Sequence, residues 1–173
     1  ARQHADATIQ ARVWRFDVRV PLGVETEIGD VLCQAARSHF LEQTDADRLC
    51  PDIVIDLTRP GGYDYLLYEI EGYQLAVSRI DDRAVSWEEA VELWCEMAYQ
   101  PIAEIIRRER VLDAFPGCTE TDLYLWMRRN QEELEIRYGR DILMADSASD
   151  LVERFGQKAS MAKRLRDSAG KLV

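Results

Sequence analysis

The spacing of apolar residues divides the chain into segments of two periods. Over residues 8–20 the pattern alternates, with Ile9, Ala11 and Val13 in one phase and Trp14, Phe16, Val18 and Val20 in the other. A period of two that slips by one residue predicts a strand with a bulge, or two short strands, stopped by Pro21 and Gly23. From Asp30 to Thr44 the period becomes helical, with Ile28, Leu32, Ala35, Ala36 and Phe40 on one stripe. Ile53, Ile55 and Leu57 form a short extended run before the turn chemistry of Pro60-Gly61-Gly62. A second helix then carries Tyr63, Leu66, Leu67, Ile70, Tyr73 and Val77, with Gly72 in its interior allowing a close helix crossing.

Ser86-Trp87-Glu88-Glu89 reads as a capping box. It opens a long stripe of Trp87, Ala90, Val91, Trp94, Ala98, Ile102, Ile105 and Ile106. Pro101 lies inside that stripe, lacks a backbone donor, and predicts a kink near Met97–Pro101. Pro116-Gly117 ends this helix, and Thr119 caps the next with Asp122 three residues on. Leu123, Trp126, Met127, Leu134 and Tyr138 trace its expected buried face, and Gly139 closes it. A last amphipathic helix is expected through Val152, Phe155, Ala159, Ala162 and Leu165, its N-cap between Asp146 and Ser149. The predicted fold class is therefore mainly α. It is a multi-helix bundle with a short N-terminal β segment and an extended run near 53–57. The expected domains are a strand segment over 1–24, a helical domain over 25–144, and a C-terminal helix with a basic tail over 145–173.

Charge changes this picture at the two ends. The net charge is −10 over 173 residues, but residues 1–20 hold four Arg, and Lys158, Lys163, Arg164, Arg166 and Lys171 crowd the last seventeen. The acidic centre repels phosphate backbones, which speaks against nucleic-acid binding through that surface and leaves only the basic ends for it. No long uncharged apolar run or signal peptide is present, so no membrane association is expected. The chain reads as cytoplasmic, with reduced thiols. It begins at Ala1 in mid-pattern, an expectation of a piece of a longer protein.

The candidate chemistry is thin. Cys33, Cys50, Cys95 and Cys118 lack metal-ligand spacing, and His39 has no second histidine near it. Glu88, Glu92 and Glu96 recur at steps of four, but no Glu-x-x-His pair completes a di-metal site. Arg107, Arg108 and Arg110 suit the end of a helix, and Glu120 and Asp122 suit the start of one. Cys118 precedes a helix start that favours a thiolate, while the adjacent carboxylates oppose it. No catalytic, cofactor-binding or metal-ligating residue is assigned, and no cofactor is expected.

Tyr99-x-Pro101-Ile102 and Phe115-Pro116-Gly117-x-Thr119-Glu120-x-Asp122-Leu123-Tyr124-Leu125-Trp126 carry a family resemblance. So do Leu57-Thr58-x-Pro60-Gly61-x-Tyr63 and Ser86-Trp87-Glu88-Glu89-Ala90-Val91. Over residues 28–138 the chain resembles the C-terminal helical region of bacterial ParB-like proteins of the ParB/sulfiredoxin superfamily, labelled as transcriptional regulators. The resemblance implies an upstream ParB-like domain whose last strand corresponds to 8–20. The Gly-Asn-His-Arg-type motif of that domain is absent, so its phosphate-handling residues carry over to no position. Cys118 stands where the family shows Arg, Met127–Gln131 where it is His-rich, and Glu69 where a His is expected.

Three readings follow. The first is a non-catalytic helical module that mediates oligomerisation or binds a protein partner, beside a ParB-like domain. The second is a nucleotide- or small-molecule-binding enzyme domain with a pocket between the 86–110 and 119–138 helices. The residues available to a ligand or partner there are Tyr63, Tyr99, Arg107, Glu120, Asp122, Tyr124 and Trp126. The third is DNA binding through the basic termini.

Overall fold

Helices account for most of the chain in the computed structural model, which describes residues 8–13, 16–21 and 28–156, the first two stretches as backbone alone. Trp14, Gly23 and residues 157–173, with the expected helix continuation through Ala159, Ala162 and Leu165, lie outside the described residues. The chain divides into two compact units. The first comprises Ala1–Pro51 and Leu57–Val91, and the second Asp52–Asp56 and Glu92–Val173.

In the first unit, β1 (Thr8–Val13) pairs antiparallel with β2 (Phe16–Pro21), Thr8 opposite Pro21 and Val13 opposite Phe16. Helix α1 (Ile28–Thr44) packs on α3 (Gly61–Ile80), with the Phe40 and Tyr63 rings 5.7 Å apart. Thr44 ends α1. Its hydroxyl donates to the Phe40 carbonyl at 2.8 Å and accepts from the Ala46 N–H, and Asp45 at φ 53° turns the chain into the short α2 (Ala46–Leu49). On α3, Tyr63, Leu66 and Ile70 are buried against this core. Gly72 lies in the exposed middle of α3, where it costs roughly 1 kcal/mol relative to Ala. Among the described residues no atom outside the helix's own backbone lies within 4 Å of the position its Cβ would take, so none of them makes the expected close crossing there.

Helix α4 (Trp87–Trp94) starts at Ser86, whose Oγ accepts the Glu89 N–H at 3.1 Å. Two further contacts fix that start: Trp87 Nε1 donates to the Gln43 carbonyl at 2.7 Å, and Gln74 donates to the Val85 carbonyl at 2.9 Å. The Glu89 carboxylate grips Arg83 in a bidentate pair that holds its pKa below the usual carboxylate range.

In the second unit, the irregularity expected near Pro101 takes the form of a five-residue π-helical turn, Cys95–Tyr99, before α5 (Gln100–Arg108). Pro101 cannot donate to Met97, and the wider turn shifts the hydrogen-bond register where that donor is missing. After α5, Arg110 at φ 54° leads into a 3-10 turn, Val111–Ala114. Gly117, at φ +88°, sits in the turn closed by Cys118 N–H to the Phe115 carbonyl at 3.2 Å. Helix α6 (Glu120–Tyr138) follows and stops at Gly139, φ 64°.

Helix α7 (Met144–Phe155) begins earlier than expected. Leu143 occupies its N-cap position, and Ser147 lies inside the helix. Ser147, Ala148 and Leu151 face α6, so Ser147 serves the helix interface instead of a cap. Its Oγ donates to the Met127 carbonyl at 2.9 Å. Asn130 is the centre of that interface. Its amide donates to the Ser147 carbonyl at 3.0 Å and to Asp150 at 3.1 Å, and its oxygen accepts from Arg154 at 3.2 Å. At the end of α7, a Cβ on Gly156 would meet the Val152 carbonyl oxygen at 2.6 Å, so glycine is required. Two residues expected on the buried face of α6 are not buried: Tyr138 is exposed and Trp126 is 37% exposed. Among the described residues no helix is long and apolar enough to cross a membrane.

Asn130→Ala should destabilise the protein by about 1–3 kcal/mol, because it leaves the acceptors of Ser147 and Asp150 short of a donor in a buried interface. Urea unfolding monitored by circular dichroism measures the loss.

Candidate functional site

The start of α6 gathers most of the polar residues singled out from the sequence. Thr119 is extended, and its Oγ accepts the Asp122 N–H at 3.1 Å while the Asp122 carboxylate accepts the Thr119 N–H at 2.9 Å. The capping box is thus complete in its Thr/Asp form, and it uses the buried carboxylate of Asp122. The same threonine hydroxyl donates to the Asp56 carbonyl at 2.6 Å. Within the first turn of the helix, the Thr121 hydroxyl accepts the Asp56 N–H at 3.2 Å. Both backbone groups of Asp56 are thereby taken by side chains of α6. The Asp52–Asp56 segment runs extended beside the helix without a strand partner among the described residues, and Ile53 and Ile55 are buried.

Beneath this clamp lies an aromatic layer. Trp94, Tyr99 and Tyr124 are wholly buried, with ring centroids 5.4 Å (Trp94–Tyr99), 4.8 Å (Tyr99–Tyr124) and 6.1 Å (Trp94–Tyr124) apart. Trp94 Nε1 donates to the Tyr124 hydroxyl at 3.2 Å, and Tyr99 shares a 2.8 Å hydrogen bond with Thr121. Burial pushes the Tyr99 phenol up to about 12, because the phenolate would lose its hydration. At the rim, Arg107 grips Glu120 through two bonds of 2.7 Å, from Nε and from a terminal nitrogen. Glu120 holds the Arg107 guanidinium above its ordinary pKa. Arg108 faces Glu109 and Arg110 faces Asp113, so each of the three arginines at the end of α5 lies against a carboxylate.

The residues named from the sequence therefore part company. Tyr99, Arg107, Glu120, Asp122 and Tyr124 come together around the start of α6, where each is engaged in internal hydrogen bonds. Tyr63 belongs to the first unit, where its hydroxyl accepts the Leu57 N–H at 3.1 Å. Trp126 points elsewhere. It packs edge-on against Phe115, centroids 5.8 Å apart, and lines an open groove of about 410 Å³ with Leu151 and Phe155. Asn130, Arg129 and Glu133 complete the lining, and Phe155 is 58% exposed. That volume lies within the range of ordinary binding pockets.

The chain matches no family model, and no curated protein or solved structure matches it significantly.

Leu151 and Asn130 were not read from the sequence as parts of a site. Asn130 left a signal: it occupies a position of the Leu123–Met127–Asn130–Leu134 stripe, where a polar residue interrupts apolar ones. Among the described residues no group of three His, Cys, Asp or Glu side chains is placed to hold a metal ion. Cys33 and Cys118 keep their thiols and are half-buried.

Thr119→Ala removes the cap acceptor and the donor to Asp56, and should cost about 1–2 kcal/mol, with Thr119→Ser recovering most of it in thermal unfolding. The raised pKa of Tyr99 sets a second expectation. The folded state keeps the phenol protonated, so its contribution is full below the unfolded pKa near 10 and is lost as pH rises toward 12. Between pH 10 and 12 the wild type should lose roughly 2–3 kcal/mol that Tyr99→Phe does not lose. Paired urea titrations across that window, with phenolate absorbance followed in parallel, measure the difference.

Proposed function

We propose that this chain is a non-catalytic helical interaction module, the regulatory region of a ParB-like protein, and that it binds a protein partner through the groove between α6 and α7. The observation that supports the reading is the groove itself. It joins an edge-on Trp126–Phe115 pair to an exposed Phe155, and among the described residues its charged lining is Arg129 and Glu133, which pair at 3.4 Å. Aromatic residues exposed at the rim of a concave apolar surface are the usual anchors of partner recognition. The groove accommodates one large apolar side chain projected from a partner helix or extended segment, the helix-in-groove mode of recognition.

The polar residues that an enzyme would need are committed to structure. Asp122 caps a helix, Glu120 grips Arg107, and Tyr99 and Tyr124 are closed off from solvent. These commitments favour binding over catalysis as the reading of the second unit. The regulatory role in a ParB-like protein rests on the sequence motifs given above.

Trp126→Ala should weaken capture of the partner by tenfold or more, about 1.4 kcal/mol, while lowering the melting temperature only slightly, since the ring is partly exposed. The measurement is affinity capture with immobilised wild-type and Trp126→Ala chains, followed by calorimetry on the partner recovered. Equal capture by the two chains would remove the groove from the reading.

A further inference from the structure

The end of α7 delivers the chain to the wall of the groove beside Trp126. The helix stops at Phe155, which lines the groove, and Gly156 leaves it extended, at φ −63° and ψ 147°. Gly156 is buried, and a Cβ there would meet the Ala114 side chain at 3.2 Å as well as the Val152 carbonyl oxygen. Ala114 adjoins Phe115, another lining residue, so the chain is turned off the axis of α7 at the groove itself. Extended residues advance about 3.3–3.6 Å each, and the stretch of α6 from Trp126 to Glu133 is about 10 Å long. The first few residues after Gly156 therefore suffice to reach across it.

The sequence that follows has the composition that such a groove accepts. In residues 157–173, Ala162, Leu165, Ala169 and Leu172 recur at steps of three and four, with Met161 beside them. Lys158, Lys163, Arg164, Arg166 and Lys171 stand around this apolar stripe against Asp167 alone. The walls carry the opposite balance, since α6 and α7 together hold eight carboxylates and four arginines. The excess stays acidic after Arg129 has paired with Glu133 and Arg154 with Asp150.

We infer that residues 157–173 of the same chain occupy this groove, with Met161 and Leu165 set against Trp126 and Phe155, so that a partner must displace them. An apolar stripe flanked by cations, laid in an aromatic concavity with acidic walls, is a helix-in-groove contact made within one chain. Attachment at Gly156 gives the segment an effective concentration on the order of millimolar, so weak contacts hold it in place and a stronger ligand can expel it. The regulatory meaning rests on the proposed function, whereas occupancy of the groove by this segment requires no partner.

Photo-crosslinking in the full chain tests it. With benzoylphenylalanine in place of Trp126, which is 37% exposed, irradiation should join that position to a peptide from residues 157–173. Mixing isotope-labelled with unlabelled chains should show both peptides to come from one chain. Leu165→Asp should lower the yield about tenfold, and Ser160→Asp, equal in charge but on the opposite side of the stripe, should leave it unchanged. A second measurement keeps the native ring. In the full chain labelled with fluorotryptophan, the Trp126 resonance, assigned through Trp126→Phe, should move with Leu165→Asp and not with Ser160→Asp. Crosslinks to a second copy or to another segment, an equal yield from Leu165→Asp, or a Trp126 resonance indifferent to that substitution would overturn the inference. A crosslink to residues 157–173 in a chain that captures no partner supports it and removes the proposed function. Capture that Trp126→Ala abolishes, from a chain that forms no such crosslink, does the reverse.

Discussion

The second unit depends on how the first turn of α6 satisfies backbone polar groups that are not its own. A helix start leaves N–H donors without partners, and an extended segment outside a sheet leaves both donors and acceptors without them. Thr119 and Thr121 address both deficits in one place. Thr119 caps the helix with one lone pair and gives its proton to the Asp56 carbonyl, and Thr121 receives the Asp56 N–H. The extended run can therefore place Ile53 and Ile55 in the core without a neighbouring strand. Two hydroxyls and a carboxylate do for this segment what a β-ladder does elsewhere.

That arrangement also explains why so little chemistry is left over. The residues with reactive side chains at this point are the ones the fold needs. Asp122 is buried because it closes the cap, Tyr99 because it bonds Thr121, and Tyr124 because it receives the Trp94 indole. Four consecutive residues, Thr121 to Tyr124, are buried, so the first turns of α6 are enclosed on nearly all sides. Solvent access returns further along, where Trp126 meets the end of α7. The groove beside Trp126 is concave and aromatic, and its charged lining residues Arg129 and Glu133 pair with each other.

Much of the local architecture was legible from residues alone. Ser86 with Glu89, and Thr119 with Asp122, marked helix starts because a short oxygen-bearing side chain at that position satisfies helix donors in nearly any context. Gly139 marked a stop, and Pro101 an irregularity, for equally local reasons. The apolar stripes gave the inward faces of α1, α3 and α5. What the sequence by itself determined was thus the set of helices and their caps, since those follow from groups only a few residues apart. Tertiary structure alone decided the rest. It turned Asn130 from an interruption in a stripe into the centre of the α6–α7 interface, and it made Thr121 the partner of Asp56, 65 residues away. It left Trp126 at the edge of a groove instead of in the core, because the burial of a side chain depends on which distant helix returns to cover it.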